Sequence, residues 1–182
     1  MCGTGNVHQP PYPLFRRSRA AADYHWHRKW DWPFCRWNFD PTKGQVLSEW
    51  FLGARTNVAF NCLDRHVEAG LGNKVAFFYE GNEVEVSAAY TYASVLDQVC
   101  RLANYLTACG IGRGDDVTIY MSHTPQLVMA MLACARIGAV HSVVFGGYSD
   151  EALAQRLMET ESTVLITSSS VRRGTLLIDL KV

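Results

Sequence analysis

The chain has 182 residues, of which 48% are hydrophobic and 19% charged, and 17 basic residues balance 17 acidic ones. This length can bury one sizeable core, so we expect one globular unit. Zero formal net charge argues against a general nucleic-acid or membrane-surface binder, and no run of 18 apolar residues could span a membrane. The six cysteines lack C-x-x-C spacing, which indicates reduced thiols and no bound metal.

The first residues form an unpatterned arm. Residues 1–22 carry three arginines, three prolines and no acidic residue, a composition that overlaps with organelle transit peptides. Because the prolines oppose the amphipathic helix that such a peptide needs, organelle import is the weaker alternative. We expect a disordered arm and a cytoplasmic protein, with the nucleus as a second location. The aromatic-rich stretch 24–39 favours a segment that wraps a larger body over a sugar- or base-binding face.

The middle of the chain predicts two helices and a hairpin. A short helix is expected over 43–52, and Asn57 is the expected N-cap of a second helix. That helix carries Asp64-Arg65-His66, for which a structural ion pair or buried hydrogen bond is favoured over a catalytic base because no nucleophile motif accompanies it. Residues 75–79 and 84–90 are predicted to form two strands that pair as a hairpin.

The second half of the chain alternates helices and strands. A helix capped by Thr91 ends near Gly110. Beyond it, strands are predicted over 117–121, 140–145 and 164–167, and helices over 125–137 and 151–159. Short links between alternating elements require parallel pairing. The expected fold class is therefore α/β, a βαβαβ parallel-sheet unit preceded by the arm, helices and the hairpin.

The strand ends contain the candidate binding residues. The second parallel strand runs into Phe145-Gly146-Gly147, and the third leads to Arg172 and Arg173. Ligands of open parallel sheets gather beyond the carboxyl ends of the strands. A phenylalanine ring stacks on a planar base, glycines permit close approach and arginine matches a phosphate, so these residues suit a phosphorylated nucleotide. The alternative is a tight glycine turn beside solvated arginines, and the residues alone leave both open.

Four stretches of the sequence resemble one known family. They are WFLGARTNVAFNCLDRHV, TYASVLDQVCRLANYLTACGIGRGD, AMLACARIGAVHSVVFGGYSDEALAQRL and VLITSSSVRRG. In order and spacing they resemble the N-terminal part of AMP-forming acetyl-CoA synthetases, in the adenylate-forming superfamily, over about residues 32–182. The third stretch is the most specific, and it points to the acetate-activating branch.

The resemblance implies a two-step ligase reaction. Acetate attacks the α-phosphate of Mg-ATP to give acetyl-AMP and diphosphate, and the thiol of coenzyme A then displaces AMP. The implied small-molecule partners are acetate, ATP with Mg²⁺, and coenzyme A. The implied coenzyme A site is the aromatic-glycine-glycine turn with the following arginine, namely Phe145, Gly146, Gly147 and Arg172, with Arg173 as the weaker candidate.

The resemblance also implies a division of the chain. Residues 1–31 would be the arm, 32–90 an N-terminal cap region with the hairpin, and 91–182 the start of an AMP-binding domain. The family's phosphate loop, acetate pocket and catalytic lysine have no counterpart in the 182 residues. We therefore expect an N-terminal fragment that is inactive alone and needs the C-terminal remainder of the enzyme. A non-catalytic coenzyme A or nucleotide-binding module and a structural remnant are the alternatives.

Overall fold

The protein is an α/β structure in which helices cover a small parallel sheet. This computed structural model describes residues 24–29, 31, 35–83, 85–173 and 176–180. Most of the expected N-terminal arm lies outside the described residues. The parallel sheet confirms the predicted fold class.

The segment before the first long helix begins with a short antiparallel ribbon. Strands β1 (Cys35–Asn38) and β2 (Leu47–Trp50) pair around a 3₁₀ turn over Pro41–Lys43. Asp40 caps the turn by accepting a hydrogen bond from the backbone N–H of Thr42 at 3.0 Å. The helix predicted over 43–52 is therefore wrong. Pairing with β1, which includes an ion pair between Arg36 and Glu49, replaces the local helical pattern.

A helical segment follows, as the sequence predicts. Its N-terminus is capped by Asn57, whose Oδ1 accepts from the N–H of Phe60 at 3.2 Å. Two π-helical stretches, Phe60–Asp64 and Val67–Leu71, make up most of the segment. The wider turns of a π-helix are a feature that the apolar spacing did not predict.

The predicted hairpin and long helix are both confirmed. Strands β3 (Val75–Glu80) and β4 (Ser87–Thr91) pair in antiparallel register. Thr91 ends β4 and also caps helix α1 (Tyr92–Ala108), because its Oγ1 accepts from the N–H of Ser94 at 3.2 Å. The hairpin therefore leads directly into the helix without a connecting loop.

The parallel sheet contains three strands in the order β6-β5-β7. Strand β5 (Asp116–Met121) lies between β6 (Val140–Phe145) and β7 (Val164–Thr167). Two helices connect the strands and begin within one residue of the predicted starts, one with a proline at its first position and the other after a serine cap. They are α2 (Pro125–Ile137) and α3 (Asp150–Thr160).

Alternate residues of β5 face two different apolar layers. Val117 and Ile119 are fully buried in a core cluster that α1 and α2 line. Tyr120 faces the opposite way and packs with Val144 and with Leu153 of α3. A central strand covered on both faces explains its almost continuous apolar sequence. Helices on both faces make this a doubly wound arrangement. In such an arrangement ligands bind beyond the carboxyl ends of the strands.

A second hairpin closes the described chain. Strands β8 (Ser170–Arg173) and β9 (Leu176–Asp179) pair in antiparallel register and form a sheet separate from β7. The sequence predicted only a polar exit after the third parallel strand. Arg172 and Arg173, which the sequence placed beyond the last predicted strand, are therefore themselves part of a strand, and this position fixes their backbone.

Candidate functional site

A cavity of about 440 Å³ lies at the carboxyl end of the parallel strands. This volume is in the range of small-molecule sites. Three pieces of structure contribute its walls: the β3–β4 turn, the strand ends of the parallel sheet, and the β8–β9 hairpin. The residues that line it are Tyr79, Glu80, Gly81, Asn82, Glu83, Val86, Ser122, His123, Thr124, Phe145, Gly146, Ser170, Val171, Arg172 and Leu177.

The parallel sheet supplies the aromatic wall. Phe145 is the last residue of β6, and 41% of it is exposed. Its ring centroid lies 5.6 Å from that of His123, which follows β5, and 6.2 Å from that of Tyr148. A partly exposed ring in a concave site is suited to stacking on a planar ligand group. His123 was not among the residues that the sequence singled out for this site.

The two glycines have different structural roles. A Cβ on Gly146 would lie 2.8 Å from Cγ2 of Val171 and 2.9 Å from the carbonyl carbon of Met121. Gly146 therefore lets β8 pack closely against the end of β5. Gly147 has a φ of 114°, a conformation that residues with a side chain rarely adopt. Gly146 lines the cavity, whereas Gly147 is not one of its lining residues and contacts the hydroxyl of Tyr120 at 3.4 Å.

Arg172 joins two hairpins that are distant in sequence. Its guanidinium Nη1 lies 2.5 Å from Oε1 of Glu83 in the β3–β4 turn. Its backbone carbonyl accepts a hydrogen bond from Nδ2 of Asn82 at 3.3 Å. Arg172 is 43% exposed at the side chain, so ligand oxygens can reach it from the cavity. Arg173 ends β8, and its side chain lies outside the described residues.

The lining combines an aromatic ring, backbone at close approach, the guanidinium of Arg172 and the carboxylates of Glu80 and Glu83. Phe145, Gly146 and Arg172, which the sequence placed in one site, share one cavity in the structure. Sequence reasoning missed the β3–β4 turn, because nothing in residues 80–83 except turn-forming composition marks them. This arrangement can hold a planar group near Phe145 and an anionic group near Arg172.

The second candidate cluster, Asp64 with His66, is structural. Both oxygens of Asp64 accept hydrogen bonds from Arg136 of α2, at 2.8 and 2.9 Å. The hydrogen bond with Asp64 raises the pKa of Arg136. The ring of His66 lies 4.7 Å from that of Tyr92, and burial lowers the pKa of His66. The ion pair expected from the sequence is present, and it joins the π-helical segment to α2.

Metal sites and membrane-spanning helices are both absent from the described residues. No group of three or more His, Cys, Asp or Glu side chains there is arranged to hold a metal ion. None of the helices there is both long and apolar enough to cross a membrane.

Comparison with known proteins identifies a family. Residues 63–181 match the family described as AMP-binding enzyme. The chain is 49% identical over 164 residues to an acetyl-coenzyme A synthetase, chloroplastic/glyoxysomal, of Arabidopsis thaliana, which covers 90% of this chain and 22% of the relative. It is 46% identical to an acetyl-coenzyme A synthetase of Desulfatibacillum aliphaticivorans, over 92% of this chain and 27% of that protein. An acetyl-coenzyme A synthetase of Drosophila melanogaster is 45% identical over 86% of this chain and 24% of its own length.

These matches extend over nearly all of this chain but only part of each relative. The chain spans about a quarter of the length of the curated relatives that it matches. The family match begins in the helical segment at residue 63. It includes all three pieces of structure that form the cavity walls, from the β3–β4 turn to the β8–β9 hairpin. The chain belongs to the AMP-binding enzyme family, and the relatives that it resembles there are acetyl-coenzyme A synthetases.

Proposed function

We propose that this chain forms the coenzyme A-binding corner of an AMP-forming acetate–CoA ligase. In the reaction, a carboxylate oxygen of acetate bonds to the α-phosphorus of ATP, with Mg²⁺ as its companion ion, and diphosphate leaves. The sulfur of coenzyme A then bonds to the acyl carbon of acetyl-AMP, and AMP leaves. The observation that carries the proposal is the shared cavity of Phe145, Gly146 and Arg172 in a chain related to acetyl-coenzyme A synthetases.

Each lining group has a role in this proposal. The guanidinium of Arg172 binds the 3′-phosphate, because arginine matches phosphate geometry with charge-assisted hydrogen bonds. The ring of Phe145 packs against the adenine. Gly146 brings its backbone to the cavity wall, Gly147 supplies the turn next to it, and Arg173 is a secondary phosphate ligand. The proposed division of the chain is an arm over residues 1–31, a cap region over 32–90 and the start of the AMP-binding domain over 91–182.

The proposed location is a reducing compartment. The cytoplasm is the main proposed location, and the nucleus is an additional one. Support comes from the four cysteines whose side chains the structure describes, all of which are free thiols. The partners are acetate, ATP, coenzyme A and the remainder of the enzyme, with neither nucleic acid nor membrane. Organelle import remains the alternative location.

Calorimetry with coenzyme A and dephospho-coenzyme A tests the proposal. Arg172→Ala should weaken coenzyme A binding roughly tenfold or more, because a hydrogen bond to a charged group contributes about 1.5–3 kcal/mol. Binding of dephospho-coenzyme A, which lacks the 3′-phosphate, should change little. Arg101→Ala is the matched control, because Arg101 is a surface residue of α1 that is 79% exposed and is not a cavity residue.

Three results would contradict this assignment: no binding of coenzyme A by the folded chain, coenzyme A binding that Arg172→Ala leaves intact, or equal losses for both ligands in Arg172→Ala. The alternative function is a coenzyme A-binding module without turnover. It is favoured by a cavity formed within a chain that spans only about a quarter of its relatives. Neither function predicts acetate-dependent ATP–diphosphate exchange from these 182 residues alone. Exchange by a protein that joins this chain to the remainder of the enzyme distinguishes the two, because only the ligase predicts it.

A further inference from the structure

The β3–β4 turn holds the arginine of the cavity at two points. Asn82 donates its side-chain amide to the backbone carbonyl of Arg172 at 3.3 Å, and the carboxylate of Glu83 lies 2.5 Å from the guanidinium. Both turn residues line the cavity together with Phe145. A negative charge of the protein itself therefore lies against the group that would bind an anionic ligand.

The ion pair between Glu83 and Arg172 is exchangeable. Their side chains are 57% and 43% exposed, and ion pairs at such exposure are weak because water screens them. A phosphate monoester carries about −1.5 to −2 charges and three strong acceptor oxygens. It therefore competes well for the guanidinium, whereas a neutral hydroxyl does not. A carboxylate left beside a bound phosphate would also repel it.

We propose that Glu83 is a specificity-determining residue, an internal counter-ion that a ligand phosphate must displace from Arg172. The proposal rests on the proposed function, because it concerns the same arginine and the same phosphate. Its consequence is discrimination between charged and uncharged ligand ends. A ligand with a dianionic phosphate monoester displaces Glu83. A ligand without this group leaves the ion pair intact, so Arg172 adds nothing to its affinity.

The test compares Glu83→Gln with the unmodified 182-residue chain by calorimetry. Coenzyme A should bind about two- to fivefold more tightly to the variant, because the competing charge is absent. Dephospho-coenzyme A should bind equally to both proteins. Glu83→Ala is a second variant with the same expectation, and near-ultraviolet circular dichroism verifies that each variant is folded.

Two controls separate competition from a general charge effect. Glu80→Gln removes a carboxylate from the same cavity, and Glu85→Gln removes one from the same turn. Neither should discriminate between the two ligands. Equal tightening in Glu80→Gln would overturn the proposal, because the effect would then come from overall charge.

The sign of the effect is decisive. Weaker coenzyme A binding in Glu83→Gln would mean that Glu83 positions Arg172 for the ligand, and this would overturn displacement. Unchanged binding in both Glu83 variants would also overturn it. Failure of the proposed function has a different signature, namely that Arg172→Ala leaves coenzyme A binding intact. If coenzyme A binding depends on Arg172 but not on Glu83, only the displacement of Glu83 is refuted.

Discussion

Gly146 shows how one residue can serve packing and binding together. From sequence, a glycine at a strand end suggested room for a ligand. In the structure, the missing side chain leaves room for Val171 and for the backbone of Met121. The cavity therefore depends on Gly146 indirectly, because the close approach of β8 to β5 places Arg172 at the cavity rim.

Gly146→Ala should lower the free energy of unfolding by about 1–3 kcal/mol, the usual cost of an added group in a packed site. The new methyl group would lie 2.8 Å from Val171 and 2.9 Å from Met121, so backbone has to move. Urea denaturation gives the difference. Gly112→Ala is the control, because the nearest atom to its Cβ is 3.9 Å away, and its change should stay within about 0.5 kcal/mol. Equal stability of the two variants would contradict the packing role.

Between elements, side-chain hydrogen bonds join the π-helical segment to α2. Asp64 and Arg136 form two parallel hydrogen bonds, and their side chains are 13% and 31% exposed. Asn57 adds a second tie, because its Nδ2 donates to the carbonyls of Ala135 and Arg136 at 2.8 and 3.2 Å. Asn57 therefore gives two carbonyls in the last turn of α2 a hydrogen-bond donor from outside the helix, and the carbonyl of Ala135 also accepts from the N–H of Gly138 at 3.2 Å.

Asp64→Asn should destabilise the protein by about 1–2 kcal/mol, between the values for exposed and buried ion pairs. The cost arises because Arg136 keeps its charge without its partner. Thermal unfolding at several salt concentrations measures the loss. Asp97→Asn breaks an exposed pair with Arg101, and it should cost less than about 0.5 kcal/mol. If both variants melt at the same temperature, the Asp64–Arg136 pair stabilises the protein no more than an exposed ion pair does.

The elements that the sequence predicted well are those with a local signal. Helix α1 starts at its Thr91 cap, α2 starts at its proline and α3 starts after Ser149, because each start depends on neighbouring residues. Strand β2 was mistaken for a helix, because its pairing with β1 is not encoded in its own spacing. The β8–β9 hairpin was missed for the same reason.

The site was predictable in part. Phe145, Gly146 and Arg172 could be grouped because the carboxyl ends of parallel strands share an edge. The contribution of Asn82 and its neighbour Glu83 could not, because Asn82 contacts Arg172 across 90 positions of sequence. No rule based on periodicity relates residues so far apart.

At the scale of the whole molecule, the sheet has exposed edges. Within the described residues, β6 and β7 each pair with β5 alone. Val143 of β6 is 43% exposed on such an edge strand. Edge strands with exposed apolar side chains are templates for association between chains.

We therefore expect the 182-residue chain to self-associate with increasing concentration. Val143→Lys should reduce this association several-fold, because a charge on an edge strand opposes pairing. Sedimentation velocity over a concentration series measures the effect. Val128→Lys is the control, since Val128 has a similar exposure of 41% but lies on helix α2. A monodisperse monomer at all concentrations would contradict the expectation.

The long sequence separation between the cavity walls has a consequence for the order of folding. The layers around β5 form from neighbouring elements, whereas the contact between Asn82 and Arg172 closes a loop of 90 residues. Closing so long a loop costs more chain entropy than forming local contacts, and it is correspondingly slow. During synthesis, β8 also leaves the ribosome after the whole parallel sheet. The binding cavity should therefore be assembled last, on a core that is already folded.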